Sequence, residues 1–271
     1  LQAYGGRTER VRAGHSSALN LADLERAAAV RGHVLATPGY FHGSSLLAAR
    51  LTLSAALLRP LRDRTRIRLH AGTDDPAGEL VLLEGASLGP GESALAQLRL
   101  DRPVVVAPGD RFVLRLESPE LTLGGGVVLE ESRHRLKRGK AFVLEGLGRV
   151  EANLADLDGR LVAELERSDR DPLAARELAE RVKQPLERIE ARLGLLCASG
   201  AVVAAGRGPR YASAAVAERD ARALTEALKS WFRAHPERQL APRSEVETSL
   251  PGGAAASEFA LEVALARGLL E

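Results

Sequence analysis

The chain of 271 residues contains no methionine, one cysteine and only 3% aromatic residues. The lone Cys197 excludes an internal disulfide and suits a reducing cytosol. It lies in the apolar helical pattern LLCA, so we interpret it as a core residue and not as a catalytic thiol. No apolar run approaches the roughly 18 residues that a membrane helix requires, and no secretory signal is visible. Because the chain opens on Leu1 and has no methionine, we expect it to be a piece of a longer protein.

Sequence patterns of common enzymes are also missing. The phosphate-binding pattern G-x-x-x-x-G-K-[ST] does not occur, since Gly139-Lys140 lacks both the upstream glycine and the following hydroxyl residue. The six histidines have no metal-ligand spacing and no cysteine partners. Asp74 and Asp75 lie beside proline and glycine, which is a turn composition and not a catalytic pair. We therefore expect no catalytic residue, no metal site and no nucleotide hydrolysis of the P-loop type by this chain.

The charge is nearly balanced, with 38 basic and 36 acidic residues, so any nucleic-acid footprint must be a local patch. The strongest pattern is Arg62, Arg64, Arg66 and Arg68, whose alternation predicts four arginines on one face of one strand. Such a face meets solvent or a ligand, and phosphate is the natural partner of guanidinium groups. The alternative is a solvated face on which aspartate and glutamate pair with the arginines.

A second basic run, ESRHRLKRGK over residues 131–140, breaks the β pattern. It is either a solvated linker, which we favour, or an RNA contact. The side chains that would touch an RNA backbone are Arg133, Arg135, Lys137 and Arg138, together with Arg207 and Arg210 at a later hairpin.

Residues 44–130 predict short strands separated by turns, which is typical of a closed barrel or sandwich. After a Pro-Gly-Asp turn, residues 111–116 alternate between polar and apolar, and a triple glycine leads into the last apolar strand. Residues 1–41 also indicate β structure, with strands over 17–21 and 31–36 around a polar excursion.

The pattern turns helical after residue 140. Leu154, Leu157, Leu161 and Leu165 recur at helical spacing. Asp171-Pro172 predicts the start of a helix over 173–182. A further helix begins after Gln184-Pro185 and stops at Gly200, and a hairpin follows over 201–212. Three helices and a two-stranded wing form the winged-helix pattern.

A second copy of this helical pattern is predicted at once. Leu224, Leu228, Trp231 and Phe232 line one face of a long helix. A shorter element over 242–250 and a helix over 257–267 follow, and the chain ends before any wing.

The β part resembles the elongation factor Tu family, in which a Pro-Gly-Asp turn, an arginine-bearing strand and a glycine-rich last strand come in this order. Together with tandem winged helices, it matches more closely the bacterial selenocysteine-specific elongation factors, the SelB family. The matching stretches are AGHSSALNL, RTRIRLHAGT, LGPGESALAQL and TLGGGVVL. The resemblance implies a multidomain β + α protein with the end of a domain II barrel (1–42), a domain III barrel (44–131), a first winged helix (132–214) and a truncated second one (215–271).

The resemblance also implies a function. The protein would bind selenocysteyl-tRNA and deliver it to the ribosome in the cytoplasm, for selenocysteine incorporation at UGA. GTP and magnesium would bind a domain before Leu1, and the mRNA hairpin would bind mainly to winged helices after Glu271. This chain would be a monomer without a cofactor of its own and without a membrane partner.

Site residues follow from the same resemblance. The aminoacyl end would meet Tyr4, Arg12, His15 and Ser16, unless these form an ordinary surface turn. Ser16 stands where the family carries a basic residue toward the selenolate, so we hypothesise that His15 or Arg12 takes that role. The tRNA stem would contact Arg62, Arg64, Arg66, Arg68, His70, Gly124 and Gly125.

Two other functions stay open. One is a winged-helix transcription regulator that binds DNA and senses a ligand through its β-barrels. The carboxylates of Glu187 and Glu190, near the start of the predicted recognition helix, would repel DNA phosphates, which argues against it. The other is an ordinary Tu-like GTPase, against which the winged-helix tail argues.

Overall fold

The computed structural model describes residues 1–22, 25, 29–118, 121–168, 171–206, 208–248, 250 and 253–270. Along the chain these residues form an N-terminal segment, an antiparallel β-barrel and a series of helices. The N-terminal segment contains two short paired strands, β1 (Gln2–Ala3) and β2 (Gly6–Arg7), and a single bridge joins Gln2 to Ala18.

The strands predicted over 17–21 and 31–36 do not form. Leu19, Leu21, Val34 and Leu35 are all exposed, so these apolar side chains pack against no core. A strand needs a ladder of paired backbone groups, and these stretches have only isolated contacts: the bridge of Ala18 to Gln2, and the hydrogen bonds of Arg31 and Gly32 to Thr73. The predicted polar excursion between them falls partly outside the described residues, at 23–24 and 26–28.

The barrel occupies the middle of the chain, and its core is made of leucines. Leu51, Leu69, Leu80, Leu98 and Leu114 are all 0% exposed. A separate two-stranded sheet pairs β4 (Leu61–Arg62) with β7 (Ser87–Leu88). The barrel strands are β3 (Ser44–Leu53), β5 (Arg66–His70), β6 (Ala77–Leu82), β8 (Ser93–Val104), β9 (Arg111–Leu116) and β10 (Thr122–Glu131).

The barrel closes in the order β10-β3-β8-β6-β5-β9, with every pair antiparallel, which confirms the predicted closed barrel. Strand β10 completes it by fitting between β3 and β9. A Cβ atom on Gly125 would lie 2.5 Å from the carbonyl oxygen of Phe112, and one on Gly126 would lie 2.7 Å from the Phe112 ring. The glycine run therefore permits the close strand contact that closes the barrel.

Helices and one small sheet follow the barrel. The prediction of a helix from Leu173 is wrong, because Leu173 and Ala174 pair with a later strand and the helix begins two residues further on. The predicted stop at Gly200 is confirmed by its left-handed backbone, with φ of 75°. The elements are α1 (Ala141–Ala152), α2 (Leu157–Arg167), β11 (Leu173–Ala174), α3 (Ala175–Val182), α4 (Leu186–Ala198), β12 (Val202–Ala205) and β13 (Arg210–Ser213).

Three more helices end the described chain: α5 (Ala214–Ala234), α6 (Arg243–Thr248) and α7 (Gly253–Ala266). Leu224 and Leu228 are buried, as predicted. Phe232, predicted on the same helix face, is 37% exposed, and Trp231 stacks on His235. Within the described part of the chain, no helix combines the length and apolar character needed to cross a bilayer.

Helix α1, which the sequence analysis did not single out, docks the helical part onto the barrel. Its Val143 and Leu147 are buried in a cluster with Ala48, Leu83 and Leu129 of the barrel. Ion pairs surround this contact. Arg50 contacts Glu151, Arg167 contacts Glu130 at 2.8 Å, and Lys183 contacts Glu131 at 3.6 Å.

Glu130 stands out among these carboxylates. Burial raises its pKa, the guanidinium of Arg167 acts in the opposite direction, and the nearby Glu164 adds to the increase. The native state therefore holds this proton more tightly than the unfolded chain does, so the pairing with Arg167 does not fully offset the loss of hydration.

We expect Gly126→Ala to destabilise the barrel by about 1–3 kcal/mol, because the new methyl group would collide with the Arg50 carbonyl and the Phe112 ring. Urea unfolding measures this change. The matched control is Gly148→Ala inside α1, where nothing lies within 4 Å of the added Cβ, and it should stabilise by about 0.5–1 kcal/mol. Equal effects at both sites would contradict the close-contact account of the glycine run.

We expect Glu130→Gln to change how stability depends on pH. A carboxyl with a raised native pKa makes wild-type stability fall as pH rises from the unfolded pKa through the native one. The unfolding free energy of Glu130→Gln does not fall in this way. The values for the wild type and the variant should therefore agree at low pH and differ at higher pH. Glu145→Gln, an exposed position on α1, controls for removal of one negative charge and should follow the wild type.

Candidate nucleic-acid interface

The four predicted arginines do not lie on one strand. β4 ends at Arg62, Arg64 has a left-handed backbone with φ of 61°, and β5 begins at Arg66. The break is held by Asp63, whose Oδ1 accepts the N–H of Leu82 at 2.8 Å. The prediction of a single face therefore holds only for Arg66 and Arg68, because an aspartate turn interrupts the alternation.

Carboxylates on neighbouring strands pair with both of these arginines. Arg66 donates two hydrogen bonds to Asp101, at 3.0 and 2.6 Å, and lies 3.4 Å from Glu117. Arg68 lies 3.8 Å from both Asp75 and Glu117. The hydrogen bonds raise the pKa of Arg66 and lower that of Asp101. This geometry is that of the solvated, ion-paired face, and a tRNA contact at these two residues stays a prediction.

The other residues predicted to contact the tRNA stem lie on the same barrel. His70 ends β5, and its Nε2 atom is buried without a hydrogen-bond partner in the described structure. Gly124 and Gly125 lie in β10 against the backbones of β3 and β9. Their lack of side chains is thus required by strand packing, whatever else the glycines contact.

The basic run connects the barrel to α1 with mostly exposed side chains, as the favoured prediction of a solvated linker has it, and its backbone is also bound to the barrel. Gln97, 0% exposed on β8, donates from Nε2 to the His134 carbonyl at 2.9 Å. Its Oε1 accepts the N–H of Leu136 at 3.1 Å, and the N–H of Gly139 bonds to the Leu83 carbonyl at 3.0 Å. The run therefore lies along the barrel wall, with Arg133, Arg135 and Lys137 exposed.

Docking of this run brings three arginines together, and we call Arg64, Arg99 and Arg135 the β8 basic surface. Burial lowers the pKa of Arg99, the charge of Arg135 adds to that effect, and Arg64 acts in the same direction against the opposing Glu79. Arg64 and Arg135 belong to two separate sets of predicted contacts, and Arg99 belongs to neither. The one signal for Arg99 in the sequence is its position two residues after Gln97, on the same face of the strand.

The predicted aminoacyl-end residues also meet, at least in part. The Tyr4 hydroxyl lies 2.5 Å from Nδ1 of His15, and their rings contact edge to face at 5.6 Å between centroids. The N–H of His15 bonds to the Arg12 carbonyl at 3.4 Å. Tyr4 is 81% exposed, and Arg12 and Ser16 are exposed too, so the pair is open to a ligand.

The remaining predicted RNA contacts differ from one another. Arg210 donates to the Pro172 carbonyl at 2.8 Å and lies 3.6 Å from Glu177, so it fixes the small sheet against α3. Arg138 pairs with Asp63 and donates to the Leu82 carbonyl. Arg207 lies outside the described residues.

A cleft of about 760 Å³ separates the end of the barrel from α2 and α3. Its wall mixes both signs of charge, so it does not favour a ligand of one sign. Across the described residues, no group of three or more His, Cys, Asp or Glu side chains is placed to hold a metal ion. The charged wall residues include Glu130, Glu131, Arg133, Arg160, Arg167 and Lys183.

Comparison with known proteins gives consistent matches. The model of the family described as selenocysteine-specific elongation factor, beta-barrel domain, matches residues 48–135. The selenocysteine-specific elongation factor of Desulfomicrobium baculatum is 30% identical over 247 residues, which is 91% of this chain and 38% of that protein. Elongation factor Tu 2 of Streptomyces avermitilis is 31% identical over 132 residues, covering 47% of this chain and 33% of that protein.

The fold agrees with these matches. The crystal structure of the bacterial selenocysteine-specific elongation factor EF-Sec aligns with 98% of this chain and 39% of its own, with a TM-score of 0.61 and 18% identity. The chain spans about two fifths of the length of these relatives. Its architecture is a Tu-like barrel followed by helical domains, and the chain belongs to the family of selenocysteine-specific elongation factors.

Proposed function

We propose that the protein binds selenocysteyl-tRNA and delivers it to the ribosome in the cytoplasm, for selenocysteine incorporation at UGA. One observation carries the proposal. The similarity to a selenocysteine-specific factor covers 91% of the chain, whereas the similarity to an elongation factor Tu covers 47%. An ordinary Tu-like factor would leave half of this chain without a counterpart.

The domain assignment belongs to the same proposal. Residues 1–42 would end a domain II barrel, and 44–131 would form domain III. Residues 132–214 would be a first winged helix, which the order α2-β11-α3-α4-β12-β13 and the three-stranded sheet support. Residues 215–271 would begin a second winged helix, which the three helices α5, α6 and α7 support.

In this proposal the tRNA lies along the barrel, and its aminoacyl end reaches the N-terminal segment. The Tyr4–His15 pair would face the selenolate, since imidazole is the side chain whose charge is most easily set near neutral pH. His15, or Arg12 as the alternative, would take the place of the basic residue that Ser16 does not supply. GTP, magnesium and the mRNA hairpin would bind parts of the longer relatives that this chain does not span.

The proposal is tested by measuring binding of the chain to selenocysteine tRNA, to an ordinary elongator tRNA and to duplex DNA across a salt series. We expect tighter binding of selenocysteine tRNA at every salt concentration. Equal affinity for both tRNAs would overturn the proposal, and tighter binding of duplex DNA would favour a transcription regulator instead.

We expect His15→Ala to reduce the preference for selenocysteyl-tRNA over seryl-tRNA by about tenfold or less, the range for one exposed charge-assisted contact. Competition between the two aminoacylated tRNAs measures this ratio. His235→Ala, at the end of α5, removes a histidine far along the chain from the N-terminal pair and should leave the ratio unchanged. An unchanged ratio in His15→Ala would exclude the selenolate role.

A further inference from the structure

We propose that the β8 basic surface is the main binding site of this chain for the phosphate backbone of a structured RNA, and that Arg99 and Arg135 are RNA-binding residues alongside Arg64. The inference rests on the proposed function, because tRNA is the RNA expected to occupy it. It differs from the strand-based prediction, which placed the contact on Arg62, Arg64, Arg66 and Arg68 as one face of one strand.

The first support is the charge balance of the two faces. On β5, Arg66 and Arg68 share Asp101, Asp75 and Glu117, so their charge is largely neutralised before any ligand arrives. An RNA phosphate would have to displace these carboxylates or lie beside them. That face therefore offers little net attraction to a polyanion.

The β8 basic surface has the opposite balance. Within the described part of the chain, no carboxylate lies within 4 Å of the charged groups of Arg99 or Arg135, and Arg64 has only Glu79, at 3.5 Å. The Arg64 side chain is 67% exposed. Three guanidinium groups thus share one carboxylate, and this surplus of positive charge is what a phosphate backbone neutralises on binding.

Further exposed cations lie close in sequence to Arg64 and Arg135. They are Arg62 from the small sheet and Arg133, Lys137 and Lys140 from the basic run, and the described structure gives none of them an ion pair with a carboxylate. Their unpaired charges add to the positive charge of this part of the chain, and phosphate contacts are made mostly by such side chains.

The second support is that the surface is held in place. Arg99 donates from Nε to Oε1 of Gln97 at 3.0 Å and from Nη2 to the Leu136 carbonyl at 3.2 Å. Both acceptors are neutral, so they orient the guanidinium without cancelling its charge. Because Gln97 also fixes the backbone of the basic run, Arg135 is presented beside Arg99 by buried hydrogen bonds rather than by a mobile loop.

Register explains why Glu79 sits among the cations. In the strand register, Glu79 on β6 lies opposite Arg66 of β5 on one side and opposite Arg99 of β8 on the other. It is the carboxylate at the boundary between the neutralised face and the β8 basic surface. Removing its charge should therefore strengthen phosphate binding, an effect opposite in sign to the loss of an arginine.

The experiment measures binding of the full chain to selenocysteine tRNA and to an RNA duplex of unrelated sequence, over a salt series. For the double variant Arg64→Gln/Arg135→Gln, we expect the slope of log K against log salt to fall by about 1.8 on both RNAs. At about 0.15 M salt this corresponds to about thirtyfold weaker binding. These two side chains are exposed and are preferred to Arg99, whose loss would also release the basic run.

Two single variants complete the design. Glu79→Gln should steepen the salt dependence and tighten binding. Arg111→Gln, an exposed arginine on β9, lies on the opposite side of the six-stranded barrel from β8 and should leave both slope and affinity unchanged. Thermal unfolding of each variant confirms that the fold is kept.

The outcomes separate this inference from the proposed function. An unchanged slope in the double variant, or an equal loss in Arg111→Gln, overturns the β8 basic surface even if selenocysteine tRNA is still preferred. A loss on both RNAs without any tRNA preference supports the surface and overturns the proposed function. The last comparison is a DNA duplex with the sequence of the RNA duplex. If the double variant loses as much affinity for that DNA as for the RNA, RNA is not the specific ligand.

Discussion

The structure depends on the close approach of β10 to its two neighbours. Three consecutive glycines let this strand lie against the backbones of β3 and β9, and the barrel closes only because no side chain intervenes. β10 also ends in Glu130 and Glu131, which receive Arg167 and Lys183 of the helical part. The strand that closes the barrel thus also contacts the helical part through these two ion pairs.

Closure then decides the path of the basic run. β8 lies between β3 and β6, and its Gln97 is fully buried under the segment that leaves β10. A buried amide must satisfy its polar atoms, and here it does so with the backbone of His134 and Leu136. A polar and charged segment is therefore held against the barrel wall by hydrogen bonds of its backbone, and Arg133, Arg135 and Lys137 stay exposed.

Charge in this molecule is organised by strand register more than by composition. A chain with a net charge of only +2 presents one arginine face neutralised by carboxylates and another with a surplus of guanidinium groups. The difference arises because Asp101 and Glu117 pair with Arg66, whereas among the described residues Glu79 is the one carboxylate within 4 Å of the charged groups of the β8 basic surface. A nucleic-acid footprint can thus be local and strong in a protein that is nearly neutral overall.

The sequence by itself determined the barrel, the helix that stops at Gly200 and the family, because these follow from local periodicity, turn residues and motifs. It did not determine the N-terminal strands, which require a partner, nor the helix start after Leu173, where pairing with β13 replaces the first helical turn. The arginine surface was decided only by tertiary structure. Asp63 breaks the strand and Gln97 docks the basic run, and such contacts between residues distant in sequence leave no periodic signal.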